Sequence, residues 1–312
     1  MYFKLQHLFA PTRYFKKSVS HAQRNGSSQL NQKKYVKPLL FLGSTSMFLW
    51  YSSEHDQLTG RRRLNILKDK NREEFSKMIG HVYPEWNMDG SRWIETKIEK
   101  VIELNLKDRK VPKTHPAHDM RVSKNHPWHE RIEAIVAQLI ENNSDLNLST
   151  PIVHLTYKGS RNAYSLGNHI VICTDGLEDI SDDQLAFLIA HEMAHHLLEH
   201  VTENVSWMMV ELLTGLYLLF VLPRKIMFAL VWVIMKPFRL GIVYPIKRRF
   251  EFEADDVGLE MSMKAGVDPK EVLIFWDILE KLKPDIPGLQ FINDHPLRLD
   301  RKSRMDQNIN SR

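Results

Sequence analysis

Cysteine is almost absent: Cys173 is the single thiol among 312 residues. An intrachain disulfide is therefore impossible, and so is a zinc ribbon built from paired cysteines. No acidic residue precedes Glu54, and the N-terminus has no early apolar run of the kind that opens a secretory signal. No apolar stretch makes an ideal spanning helix of ~20 residues, and the mean hydropathy of −0.35 excludes a polytopic membrane protein by average. No internal repeat is visible. The basic excess is small, 43 Lys and Arg against 38 Asp and Glu, and much of it lies at the N-terminus. No RNA- or DNA-binding module accompanies it, so nucleic acid is not an expected partner.

What the chain does have is His191-Glu192-Met193-Ala194-His195, an H-E-x-x-H pattern in a helical run. Positions i and i+4 share one helix face, so His191 and His195 can hold one ion together. Glu192 sits where a carboxylate can reach a water on that ion and take its proton, because zinc lowers the pKa of such a water to about 7. Ser181 and Gln184 have capping-box spacing and predict a helix start. Leu185, Phe187, Leu188, Ile189, Ala190, Met193, Ala194, Leu197 and Leu198 make the segment apolar nearly all round, hence buried. Buried His and Glu need partners, which a metal supplies. His196 and His200 repeat the i, i+4 spacing on another face without the Glu, and read as surface residues or as supports for the site.

A catalytic zinc site commonly has three protein ligands and one open position. Residues 247–256, Lys-Arg-Arg-Phe-Glu-Phe-Glu-Ala-Asp-Asp, offer the third. Glu251 and Asp255 lie one helical turn apart on one face. Glu251 can ligate while Asp255 orients a ligand histidine through its second ring nitrogen. Glu253 competes with Glu251, and spacing does not separate them.

H-E-x-x-H followed at a distance by E-F-x-A-D resembles the integral-membrane gluzincin peptidases typified by bacterial HtpX and the CAAX prenyl protease. The resemblance makes Glu251 the third zinc ligand and matches Asp255 to the Asp of the family pattern. It also covers His295-Pro296 with Arg301 at the matching distance. It implies that His295, helped by Arg301, stabilises the oxyanion or positions substrate. Asn162-Ala163, Gly167 and Gly176-Leu177 look like the family's edge strand beside the active-site helix, where an extended substrate could pair. Ile170, Val171 and Ile172 support a strand there. The resemblance spans roughly residues 128–305, with the zinc-site motifs in the family's order.

Elsewhere, residues 1–37 are basic, Ser-containing and acid-free, like a mitochondrial targeting segment. Residues 38–53 form a short candidate membrane anchor ending in Trp50 and Tyr51, which suit an interface. Arg61-Arg62-Arg63 follow it and leave its orientation by charge ambiguous. Residues 64–127 read as a helical region with Trp86 and Trp93 as core anchors, then a linker carrying Pro112, Pro116 and Pro127. His115, His118, His126 and His129 sit there in what reads as a solvated segment. A helix resumes over 128–141, strands follow within 151–157 and 163–173, and Asp268-Pro269 start a later helix. Within 205–246, two apolar pieces separated by Pro223-Arg224-Lys225 resemble a hairpin that enters a bilayer or lies along it. The predicted fold is mainly α with a small β-sheet (α+β), a zincin-like metallopeptidase domain with membrane-associated segments.

Within the family, the targeting-like N-terminus and adjacent anchor point to the mitochondrial inner-membrane branch, whose activity overlaps that of the m-AAA protease. The resemblance implies one Zn2+ per chain and membrane-protein substrates processed in quality control and stress responses. It also implies contact with the lipid bilayer and a catalytic domain facing the intermembrane space. Two alternatives stand beside this: a prenyl-protein peptidase of the endoplasmic reticulum, and a non-catalytic membrane scaffold with a structural metal. A homo-oligomer is compatible with the sequence, which does not fix the oligomeric state.

Overall fold

In the computed structural model, residues 46–66, 122, 126–156, 163–166, 168–174, 180–221, 227–282 and 298–311 are described, together with Gly43. The targeting-like segment 1–37, most of region 64–127, and His295-Pro296 lie outside them, as do Asn162, Gly167, Gly176 and Leu177. The chain divides into two units, Met1–Ser53 and Glu54–Arg312. In the first, residues 46–51 are helical, with Trp50 and Tyr51 exposed.

A two-stranded sheet pairs β1 (Ser53–His55) with β2 (Arg62–Leu64). In its loop, Asp56 accepts from the Thr59 N–H at 3.1 Å, and Gly60 takes φ 64, a left-handed conformation glycine adopts without steric cost. Helix α1 (Pro127–Asn142) buries Ile132, Ile135, Val136 and Leu139, the i, i+3, i+4, i+7 stripe of an amphipathic helix. Two linker expectations change here. Pro127 is the first residue of α1, where its missing N–H breaks no bond, and His126 caps the helix by accepting from the Trp128 N–H at 3.3 Å.

Strands β3 (Ile152–Thr156), β4 (Ala163–Leu166) and β5 (His169–Cys173) form a sheet of order β3-β5-β4. β5 is parallel to β3 and antiparallel to β4. All five β5 residues are buried, as a β-branched central strand requires. β4 lies at the edge of this sheet.

Helix α2 (Asp182–Leu197) begins at the expected capping box: Ser181 Oγ accepts from the Gln184 N–H, and Gln184 Oε1 accepts from the Ser181 N–H. Phe187, Leu185 and Ile189 are fully buried and join Ile132, Leu139, Ile170, Ile172, Leu259 and Met261 in one core. Glu199, at φ 51, breaks the helix before α3 (His200–Val221) begins. Helix α4 (Met227–Phe238) carries Pro237 near its end and runs into a π-helical turn, Arg239–Val243. Among the described residues, no helix is long and apolar enough to cross a membrane.

Helix α5 (Tyr244–Lys264) packs across α2, while α6 (Pro269–Leu282) and α7 (Arg298–Asn310) close the far side of the core. Asp268 opens α6 by accepting from the Lys270 N–H at 2.9 Å. Phe187, Phe275 and Trp276 meet edge to face. The result is the mainly helical α+β chain expected from sequence.

Candidate metal centre

Two helices make the site, and a glycine sets their separation. A Cβ built on Gly258 of α5 would lie 2.9 Å from both the Cα and the N of His191 on α2. At this crossing α5 is close enough for the turns before Gly258 to reach the His191 side chain. Glu251 and Asp255, one turn apart, both face α2.

The donor atoms converge. His191 Nε2 and His195 Nε2 are 3.1 Å apart. Glu251 Oε2 is 3.7 Å from the first, and its Oε1 is 3.9 Å from the second. Among the described residues these three side chains form the group suited to a metal, with their ligand atoms all within 4.8 Å of one another. A tetrahedral ion at about 2.0–2.1 Å from each nitrogen wants them roughly 3.3 Å apart, so the His pair already has the spacing zinc needs. Two imidazoles and one carboxylate are also a donor set typical of catalytic zinc. The sequence left Glu253 as a competitor to Glu251. Glu253 instead faces His200 and Arg61, on the other side of α5.

Around these donors stand groups that hold them. Asp255 Oδ1 lies 3.1 Å from His191 Nδ1. Burial alone would lower the His191 pKa, but the Asp255 carboxylate facing Nδ1 outweighs it and raises it. Arg301 of α7 grips Asp255 with two bonds of 2.7 and 2.6 Å and reaches Glu251 Oε2 at 3.0 Å. Its guanidinium lies 4.3 Å from the centre of the Trp276 ring, a cation–π contact that helps hold a buried cation. Arg301 is thus engaged with two carboxylates of the site. His295, its expected partner in oxyanion stabilisation, lies outside the described residues. Burial and the neighbouring His191 push the His195 pKa well down, which keeps its lone pair available.

Glu192 is buried, and burial, with the nearby Glu251 charge, raises its carboxyl pKa against the pull of His191. A hydrogen bond with Ser165 of β4 partly opposes the rise. Ser165 thus brings edge strand β4 near the Glu192 carboxylate.

Sequence reasoning missed a second network. His200 Nδ1 lies 2.9 Å from His195 Nδ1, and His200 Nε2 lies 3.3 Å from Glu253 Oε2. Arg61, at the start of the β2 arm, binds Glu203 with bonds of 2.8 and 2.7 Å and Glu253 at 3.0 Å. All three side chains are at least nine-tenths buried. From sequence, Arg61 was only part of a basic flank, and no local pattern marks it as buried. Gly258 did carry a signal, because a glycine inside a helical pattern costs helix stability and so points to a packing reason.

This network predicts a pH dependence. Burial would raise the Glu253 carboxyl, but the His200 and Arg61 hydrogen bonds outweigh it and bring it from 4.5 to about 2. A depressed carboxyl contributes its stability above the unfolded value, and that contribution is lost as pH falls through the folded one. In metal-free protein, Glu253→Gln is therefore expected to cost on the order of 3 kcal/mol at pH 7, the lower end for a broken buried pair. The gap to wild type should shrink between pH 4.5 and about 2. Denaturant titrations across that range check it; a gap independent of pH would contradict the assignment.

Comparisons with known proteins find relatives of the chain. The mitochondrial metalloendopeptidase OMA1 of Danio rerio is 28% identical over 288 residues, covering 87% of this chain and 53% of that protein. The OMA1 enzymes of Bos taurus and Homo sapiens are 32% and 29% identical over 195 residues, 57% of this chain and 36% of each relative. The chain thus spans about half the length of these curated relatives, or less. The family model described as Peptidase family M48 matches residues 126–309. That match takes in more than half of the chain and encloses both α2 and α5, and it decides the membership: the chain belongs to peptidase family M48.

Proposed function

We propose that this chain is a zinc-dependent endopeptidase that cleaves inner-membrane proteins of the mitochondrion in quality control and stress-induced processing. The observation that carries the peptidase reading is the meeting of His191, His195 and Glu251 around one point, with buried Glu192 between them and edge strand β4. His191, His195 and Glu251 would hold the zinc. Bound there, zinc supplies a Lewis acid for the peptide carbonyl and makes a water acidic enough to deprotonate near neutral pH.

The chain's own residues supply the rest. Glu192 takes the proton of the attacking water and delivers it to the departing amine nitrogen. Burial raises the Glu192 carboxyl above the ordinary carboxylate range, the direction in which a group that must accept and then donate a proton is tuned. Asp255 orients His191, and Arg301 holds Asp255 and Glu251 in place. His295 is proposed to stabilise the oxyanion. β4 offers its backbone to an extended substrate, the β-augmentation mode, which aligns a peptide beside Glu192.

The location rests on the OMA1 relatives and the basic, acid-free N-terminus. Contact with the bilayer is supported by Met208, Leu212, Leu213 and Leu216 on α3, with Val233 and Ile234 on α4, all exposed. A monomer seldom leaves so many large apolar side chains exposed on adjacent helices without an apolar neighbour. The catalytic domain is proposed to face the intermembrane space.

The test is to purify the chain from membranes in mild detergent and measure zinc by elemental analysis, with hydrolysis of an unfolded membrane-protein substrate. One zinc per chain and cleavage that stops on chelation and returns with added zinc are expected. Zinc without cleavage under any condition would favour a scaffold with a structural metal, and absence of zinc would overturn the reading.

A further inference from the structure

We propose that His200, held by Glu253 and Arg61, is a positioning residue for the metal ligand His195, and that the β1–β2 hairpin is thereby a working part of the centre. The proposal rests on the zinc reading above. Arg61 lies outside the segment matched by the family model, residues 126–309.

Hydrogen-bond polarity carries the argument. His195 can offer Nε2 to a metal only if its proton sits on Nδ1. That Nδ1 lies 2.9 Å from His200 Nδ1, which must then be the acceptor. The proton of neutral His200 is therefore on Nε2, and Nε2 faces Glu253 Oε2 at 3.3 Å. A carboxylate only accepts, so this polarity is self-consistent along the whole chain of groups. The opposite tautomer of His200 would set two N–H groups against each other.

The two ligand histidines are thus held in matching ways. His191 is backed directly by Asp255, at 3.1 Å. His195 is backed by Glu253 through an interposed imidazole. Arg301 secures the first carboxylate, and Arg61 secures the second with contacts of 2.8 and 3.0 Å.

The surroundings fix the interposed ring. His200 stacks on Phe250, with ring centroids 4.6 Å apart and planes 15° from parallel. The Arg61 guanidinium lies 5.6 Å from the centre of the same Phe250 ring. On an unbroken helix, residues five apart point about 140° away from each other. The left-handed Glu199 breaks the helix and returns His200 to His195. A non-glycine residue in that conformation is strained, and such strain gathers at functional sites. The hairpin is tied down beyond Arg61 as well: Arg63 donates to the Leu198 carbonyl, and the Ile66 N–H donates to Ser206 Oγ at 3.1 Å.

The test uses the full chain in mild detergent, with His200→Phe and Glu253→Gln. Phenylalanine keeps a ring to stack on Phe250 but removes both hydrogen bonds. Zinc affinity is read by competition with a chromophoric chelator, and the ligand field by the visible spectrum of the Co2+-substituted protein. His200→Phe is expected to bind zinc 10- to 100-fold more weakly, the usual effect of losing an outer partner of a ligand histidine. Its Co2+ bands should shift, a response that loss of stability alone does not produce. Glu253→Gln should weaken zinc less and in the same direction, and it decides the matter if His200→Phe does not fold. Wild-type affinity and an unchanged Co2+ spectrum in a folded variant would overturn the proposal while leaving the zinc reading intact. A wild-type chain that binds no zinc would overturn both.

Discussion

Glu192→Gln is expected to retain zinc and lose roughly 10²–10⁴-fold in kcat, the usual contribution of a general base. The substitution changes no heavy-atom shape, so the buried pocket between His191, Ser165 and Glu251 stays filled. What disappears is the capacity to take and return a proton. Because Glu192 is not among the three converging donors, metal content should be unchanged. KM should change little, since the lost interaction belongs to the transition state. Elemental analysis and single-turnover cleavage of an unfolded membrane-protein segment measure the two quantities together. Cleavage at the wild-type rate would remove Glu192 from the mechanism; loss of zinc alongside activity would mean that the carboxylate holds the metal.

Gly258→Ala tests the helix crossing on which the centre depends. Two effects oppose each other. In an exposed helix, alanine would be favoured over glycine by about 1 kcal/mol. At this position the new Cβ would stand 2.9 Å from the Cα and N of His191 and 3.3 Å from the carbonyl carbon of Ala190. These are backbone atoms of a buried helix, so no side-chain rotation relieves the contact, and α5 must move away from α2. Overpacking of this kind costs about 1–3 kcal/mol and sometimes more, which exceeds the propensity gain. Because the moving helix carries Glu251 and Asp255, zinc affinity should fall with stability. Denaturant unfolding and chelator competition on the same preparation give both. Wild-type stability and affinity in the alanine variant would show that the approach of α5 to His191 is not required.

Local pattern made several features legible. The capping box at Ser181 and Gln184 starts a helix because its reciprocal bonds need only residues three apart. The apolar run that follows requires burial, and the structure buries it. The run from Ile170 to Cys173 reads as a strand because β-branched residues suit a doubly covered sheet position, and β5 is buried along its whole length. The i, i+4 pairs His191 with His195, and Glu251 with Asp255, each identify one helix face, since helical periodicity alone sets it.

Other features were not legible for equally physical reasons. His200 read as lying on another face because periodicity assumes an unbroken helix, and the break at Glu199 carries no glycine or proline to announce it. Pro127 read as linker because proline signals both loops and first helical turns. The apolar segment 205–246 suggested a hairpin; no local pattern marked the start of α3 directly after Glu199 or the π turn that follows α4.

The sequence by itself determined the chemistry on offer: two histidines and a glutamate on one helix, a pair of carboxylates on another, and a chain without intrachain disulfides. Each is a matter of residue type and short-range spacing, which helix geometry converts directly into shared faces. Only the tertiary structure decided which groups meet. It brought Glu251 rather than Glu253 to the histidines and placed Arg301 against Asp255. It also carried Arg61 from a distant hairpin to the Glu253 that backs His200. Those pairings join residues far apart in the chain, and they exist because α5 can approach α2 at Gly258, whose partner across the crossing, His191, no local pattern names.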